Sequence, residues 1–307
     1  MKLDMFKKKD KEPKVKFTKK WEPFVFLLPF AIGVTIFTIY PLFNVIFMSF
    51  KENFVLLTGK YSSLGFGNFE HVMQDRYFIQ GMQNTFKYVL VVIPISTCIS
   101  IIIATLLNNK IKFMPFFQTA YFLPMVTSAT AVGLAWKYMF HYQYGVVNYL
   151  LGLVGINPIA WLTDVSSNFT ALCVYGVWNM LPFTIVLLLS GLQNIDKLYY
   201  TAARVDGAST LRIFFRITVP MLLPTIFLTM VVNSISAFKV FHELFPLWSG
   251  QPGIAYNLFT VVYYIFYQFR GLTPPQYGRA AAAAVILFIV IFIFTRIQIL
   301  IQKKFNN

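Results

Sequence analysis

Runs of about twenty apolar residues recur along this chain, and they restrict its possible folds more than any other feature. Six stretches qualify, at residues 24–43, 88–107, 116–136, 169–189, 221–241 and 280–300. At 1.5 Å rise per residue, roughly twenty residues of helix cross a hydrocarbon core. Lipid offers no partner for an unpaired backbone amide, so each stretch is expected to be helical. Pro29, Pro94, Pro124, Pro182 and Pro224 fall inside them. Neighbouring spans can satisfy the carbonyls that such prolines free. Only 12% of the residues are charged, where a soluble chain has about 25%. The 34 Phe and 17 Tyr suit lipid-facing surfaces and interfacial belts. The chain reads as an all-α membrane protein with six transmembrane helices.

The net charge of +15 invites a nucleic-acid reading, but its distribution argues for none. Nine of the 26 basic residues precede Trp21, directly before the first apolar run, where topology-setting charge belongs. Attraction to lipid headgroups is a side effect of the same charge. The first run is too long, contains Pro29 and Pro41 and lacks a small-residue cleavage site, so it reads as a retained span and not a signal peptide. Six spans put both termini on one side. That side would hold the nine N-terminal lysines with Lys110, Lys112, Lys197, Arg204, Arg212, Arg216, Lys303 and Lys304. The other would hold Lys51, Lys60, Arg76, Lys87, Lys137, Arg270 and Arg279. The denser side is expected to be cytoplasmic. The organisation is then a basic cytoplasmic tail at 1–23, a transmembrane domain at 24–302 with a cytoplasmic loop at 192–220, and a short cytoplasmic tail at 303–307. Residues 254–269 are apolar but short and carry four Tyr; an outer-leaflet or re-entrant segment with rings at headgroup level is expected there.

Chemistry is sparse. Cys98 and Cys173 lie in apolar runs and read as small core residues. His71, His141 and His242 are scattered and read as surface residues, so no metal site is expected. No acid, base or nucleophile cluster marks an enzyme. No Asp or Glu falls inside the six stretches, which disfavours a self-powered secondary transporter with a buried coupling carboxylate. Intramembrane polar residues are expensive and are candidates for function. Asn179, Asn233, Ser236, Lys239 and Glu243 stand out as a candidate substrate pathway, with Tyr175 and Trp178 as stacking platforms. The bland alternatives are snorkelling for Lys239, inter-helix hydrogen bonds for Asn233 and Ser236, and packing for Trp178. The outer loop 137–168, with Asn148 and Trp161, is the preferred docking surface for a delivering protein.

The loop 192–220 is unusual for a connector. Asp196 can cap a helix, Ala202 and Ala203 permit close approach of another backbone, Gly207 permits a left-handed turn, and Ser209 can cap a second helix before Pro220 opens the next span. The expectation is two short helices about a glycine turn at the cytoplasmic surface. An amphipathic helix resting on lipid is the plain alternative. The spacing of Ala202-Ala203, Gly207, Ile217, Val219 and Pro220 resembles the cytoplasmic signature of binding-protein-dependent ABC importer permeases, and AARVDGAS at 202–209 is similar to the carbohydrate-type branch in particular. That branch takes in maltodextrin, multiple-sugar and glycerol-3-phosphate permeases. Thr201 replaces the usual acidic residue and Val219 the usual Leu, while Asp206 keeps a negative charge nearby. Matches continue along the chain at 27–30 (LLPF), 40–42 (YPL), 49–50 (SF), 66–69 (FGNF), Asn84-Thr85, Pro124, Trp136, Gly145 and Asn148.

The resemblance implies a type I ABC importer permease fold. It further implies that Thr201, Ala202, Ala203, Asp206, Gly207, Ala208, Ile217 and Pro220 dock on a cytosolic ABC ATPase. This chain has no phosphate-binding G-x-x-x-x-G-K-[ST] cradle. ATP and Mg would therefore be used by the partner ATPase, with no cofactor bound here. An extracellular solute-binding protein and a second homologous permease, often as a heterodimer, are also implied, and which permease holds the solute site stays open. The expected cargo is a sugar or oligosaccharide. The alternative is a non-sugar solute such as glycerol-3-phosphate.

Overall fold

The computed structural model describes residues 21–108 and 113–306. The lysines before Trp21, most of the tail at 1–23, and Lys110 and Lys112 lie outside the described residues. The chain divides after Phe47 into two compact units. The described part of the first is most of α1 (Phe24–Ser49), whose Phe24, Phe26, Phe30 and Phe37 are all exposed. A helix apolar on every side is built for lipid.

The second unit opens with an antiparallel hairpin, β1 (Lys51–Glu52) and β2 (Ser63–Leu64), pairing Lys51 with Leu64 and Glu52 with Ser63. The Glu52 carboxylate closes it, accepting from the Ser63 hydroxyl at 2.6 Å and from Gly67 N at 3.0 Å. Helix α2 (Gly67–Gln74) follows. Asp75 then caps α3 (Arg76–Leu107) by accepting from Tyr77 N at 2.8 Å.

The stretch at 116–136 departs from a single continuous helix. It forms α4 (Met114–Val126) and α5 (Ala129–Met139), interrupted at Thr127 and Ser128. The Thr127 backbone is extended, and its hydroxyl donates back to Leu123 O at 2.7 Å. Side-chain bonding of this kind competes with the next helical turn. Short α6 (Val146–Leu153) leads to α7 (Asn168–Gln193). Helix α8 (Lys197–Val205) precedes α9 (Thr210–Ala237). Short α10 (Leu244–Leu247), α11 (Val261–Phe266) and long α12 (Tyr277–Asn306) complete the chain. Among the described residues, α1, α3, α7, α9 and α12 are long and apolar enough to cross a membrane.

Helices α3 and α7 pack along their lengths and form the centre of the second unit. Gly176 makes this possible, because a methyl there would overlap the Tyr88 ring. Two apolar clusters flank the middle of these helices. One gathers Tyr88, Val92, Tyr175, Phe238, Phe259 and Tyr264. The other gathers Ala104, Leu107, Leu188, Leu192, Leu222 and Ile226 at the end nearest the α7–α8 turn.

Residues 254–269 fold against α3. Phe259 and Tyr264 are buried in the protein. Asn84 Nδ2 donates to the carbonyls of Asn257 and Phe259, both at 2.9 Å, and Val261 N donates to the Thr85 hydroxyl at 3.1 Å. These bonds hold the segment against α3 and satisfy backbone groups buried there.

Candidate functional site

The turn between α8 and α9 is built from backbone requirements. The Asp196 carboxylate accepts from Leu198 N at 2.9 Å and starts α8. The helix ends in a left-handed Gly207 at φ +72°. Ala208 N donates to Ala203 O at 2.9 Å and Gly207 N to Arg204 O at 3.1 Å. That pairing is the Schellman arrangement, which needs a positive φ at the glycine position. Ser209 then caps α9, its hydroxyl accepting from Arg212 N at 3.3 Å. Nothing lies within 4 Å of where a Cβ on Gly207 would stand. Thr201, Ala202, Asp206, Gly207 and Pro220 are exposed, Ala208 and Ile217 are half-buried, and Ala203 is buried. Around the turn, Leu198, Val205 and Leu211 are more than two-thirds exposed. The result is an open knob of small and apolar residues on a rigid turn.

The second element differs from a separate surface helix. Residues 210–220 are already α9, and Pro220 lies within it. A π turn, Phe214–Thr218, ends two residues before Pro220. The same offset occurs in α1, where the π turn Thr35–Ile39 ends two residues before Pro41. A π turn widens the helix where a proline ring would strike the carbonyl four residues back. Pro94, Pro182 and Pro224 sit in plain α-helix, so proline permits this widening without forcing it.

Among the candidate pathway residues, Tyr175 and Trp178 come together, with ring centres 6.4 Å apart. Asn179, Ser236 and Lys239 are exposed. Trp178 is half-buried, with its ring 5.3 Å from Trp136. Tyr175 is 2% exposed and packs on Trp136 at 5.9 Å. Asn233 is buried and donates to the Thr184 hydroxyl at 2.8 Å. The Glu243 carboxylate accepts from Phe241 N at 3.1 Å, and burial raises it above the ordinary carboxylate range.

Asn233 belongs to a polar layer between the two apolar clusters. Beside it Ser234 accepts from Gln298 Nε2 at 2.8 Å, so adjacent residues of α9 bond α7 on one side and α12 on the other. Thr97, Ser100 and Thr295 have buried hydroxyls without a partner among the described residues, as does the Gln298 carbonyl. Gln298 was visible in the sequence as an amide inside an apolar run, yet the strong hydropathy around it masks the signal. Ser234 carries no such mark.

The outer loop holds its own shape. Asn148 is buried and uses its whole amide. Its Nδ2 donates to Tyr142 O and Ile159 O at 3.0 and 2.9 Å, and its Oδ1 accepts from Ile159 N and Trp161 Nε1 at 3.1 and 2.8 Å. With two donors and two lone pairs spent, Asn148 has nothing left for a partner. Trp161, also buried, is likewise a strut within the loop. His71 and His242 are exposed and His141 is half-buried, and no group that could hold a metal ion occurs among the described residues.

A family profile described as "Binding-protein-dependent transport system inner membrane component" matches residues 23–307. The chain is similar to the arabinooligosaccharides transport system permease protein AraP of Halalkalibacterium halodurans, with 31% identity over 94% of this chain and 90% of that protein. It is 32% identical to the multiple sugar-binding transport system permease protein MsmF of Streptococcus mutans, over 95% of this chain and 98% of that one. A bacterial alginate ABC transporter, solved with its alginate pentasaccharide-bound periplasmic protein, contains a chain of the same fold. The TM-score is 0.76 at 24% identity, covering 91% of this chain and 92% of that one.

Proposed function

This chain belongs to the family of binding-protein-dependent transport system inner membrane components, and on that premise we propose that it is the translocation-pathway subunit of an ATP-driven importer for a sugar or oligosaccharide. It is a multi-pass inner-membrane permease. The cargo rests on the relatives, which are named for arabinooligosaccharides and for multiple sugars. In this reading α4 and α5 together complete a sixth crossing and both termini are cytoplasmic.

The open Gly207 turn is the observation that carries the proposal. Small residues on a preformed turn let another backbone come close, and the exposed Leu198, Val205 and Leu211 give that contact apolar area. A separate ATPase, using ATP and Mg, docks there. A second permease completes the pathway and an outer solute-binding protein delivers the cargo. Trp178, Asn179, Ser236 and Lys239 contact solute, while Tyr175 and Asn233 hold the helices around them.

Gly207→Asp tests the coupling. Both strain and charge are placed on the turn while the spans are untouched. Membrane insertion is expected to be normal, with saccharide uptake and co-purification of the ATPase lost. Full uptake by the variant would overturn the docking role.

A further inference from the structure

The loop after α5 carries a feature that the transport reading leaves unused. A cavity of about 270 Å³ opens on its surface, lined by Tyr142, Gln143, Tyr144, Val146, Tyr149 and Pro158 together with Asn148. The three tyrosines are exposed by 49%, 65% and 68%. Exposed aromatic rings usually swing freely, but here the Tyr144 ring is held and the backbone carrying Tyr142 and Tyr149 is tied. Tyr144 stacks on His141 with ring centres 3.4 Å apart. Asn148 ties Tyr142 on one wall to Ile159 beside Pro158 on the other. Gly145 N donates to His141 O at 3.0 Å, and Tyr149 N to Gly145 O at 3.0 Å. The backbone of the walls is preformed, so a ligand would order chiefly the Tyr142 and Tyr149 rings on binding.

We propose that this cavity is a saccharide-binding site, holding one sugar ring of the cargo outside the membrane path. The inference rests on the saccharide reading above. A sugar ring has an apolar C–H face and an equatorial rim of hydroxyls. Tyrosine matches both, with an apolar ring face and a polar tip. Gln143 adds an amide that can both donate and accept, which suits vicinal hydroxyls. Asn148 has no free valence, so specificity belongs to Gln143 and the tyrosine hydroxyls. The cavity lies just below the usual range of roughly 300–1,000 Å³ for drug-sized ligands, a size suited to a single ring. No charged side chain lines it, which disfavours a phosphorylated or acidic sugar there.

The full chain in lipid nanodiscs is titrated with a panel of arabino-, malto- and galacto-oligosaccharides, following binding by calorimetry. Tyr149→Ala is expected to weaken binding of the preferred saccharide about tenfold, equivalent to ~1.4 kcal/mol. Tyr149→Trp should retain it, and Gln143→Ala should change the preference within the panel. Unchanged thermal unfolding of the variants excludes a folding defect. If Trp178→Ala abolishes binding while Tyr149→Ala leaves it intact, saccharide occupies the membrane path alone and the cavity is not a site, although the importer reading stands. If Tyr149→Ala weakens docking of the sugar-free solute-binding protein and leaves saccharide affinity unchanged, the cavity is a protein contact and the inference falls. If no saccharide binds or is imported by the unaltered transporter, the saccharide reading and this inference fall together.

Discussion

A single amide decides the shape of the loop after α5. Asn148→Ala removes four hydrogen bonds and leaves the Ile159 amide and the Trp161 indole N–H without acceptors. A local loss of about 2–4 kcal/mol is expected, read as faster hydrogen exchange at Ile159 with little change in α3 or α7. Glu52 gives a pH-dependent case. The Ser63 hydroxyl and then the Gly67 amide hold its carboxyl below the usual range. A lowered folded-state pKa means the carboxylate supports the hairpin at neutral pH, with that support lost as pH falls through the lowered value. Hairpin order, followed by nuclear magnetic resonance of Ser63, should therefore decline in acid, and Glu52→Gln should remove the pH dependence. Neither role was legible beforehand. Asn148 and Trp161 read as surface candidates because sequence separation hides a bond across 13 residues.

At the scale of elements, apolar length located α1, α3, α7, α9 and α12 well, since burial in lipid demands that length whatever the neighbours do. At 116–136 it could not register the backbone break at Thr127. It also started α9 about ten residues late, because Arg212 and Arg216 interrupt the apolar run without interrupting the helix. The turn chemistry of Asp196, Gly207 and Ser209 was readable, since capping and left-handed backbone depend on residue type at fixed offsets. The π turn before Pro220 was not. Pro220→Ala should let Phe214–Thr218 relax to α-helix, rotating the residues before it by about 100° relative to the rest of α9. Spin-label distances from position 211 to α7 would detect that rotation. Thermal stability is expected to hold or rise, since an interior proline costs about 3 kcal/mol, while uptake falls.

For the molecule as a whole, the inner-membrane family was legible from the spacing of 202–220 and the matches along the chain. The polar layer between the two apolar clusters required the packed helices. Intramembrane hydrogen bonds average about 0.6 kcal/mol, so Asn233→Leu is expected to cost on the order of 1 kcal/mol in detergent unfolding, with Thr184→Val non-additive to it. Uptake affinity should be unaffected if Asn233 holds helices together; a large rise in KM with unchanged unfolding would place it on the solute instead.

Helix α9 reaches unbroken from the Gly207 turn to the paired bonds at Asn233 and Ser234. From Thr210 to Ser234 it is roughly 36 Å long at 1.5 Å per residue. A rod of that length barely compresses, so it passes a push on as tilt. About 5° of tilt moves one end by ~3 Å, enough to part a hydrogen bond of 2.8 Å. The layer would thus act as a latch: small tilts leave both bonds in place, and larger ones release α7 and α12 together.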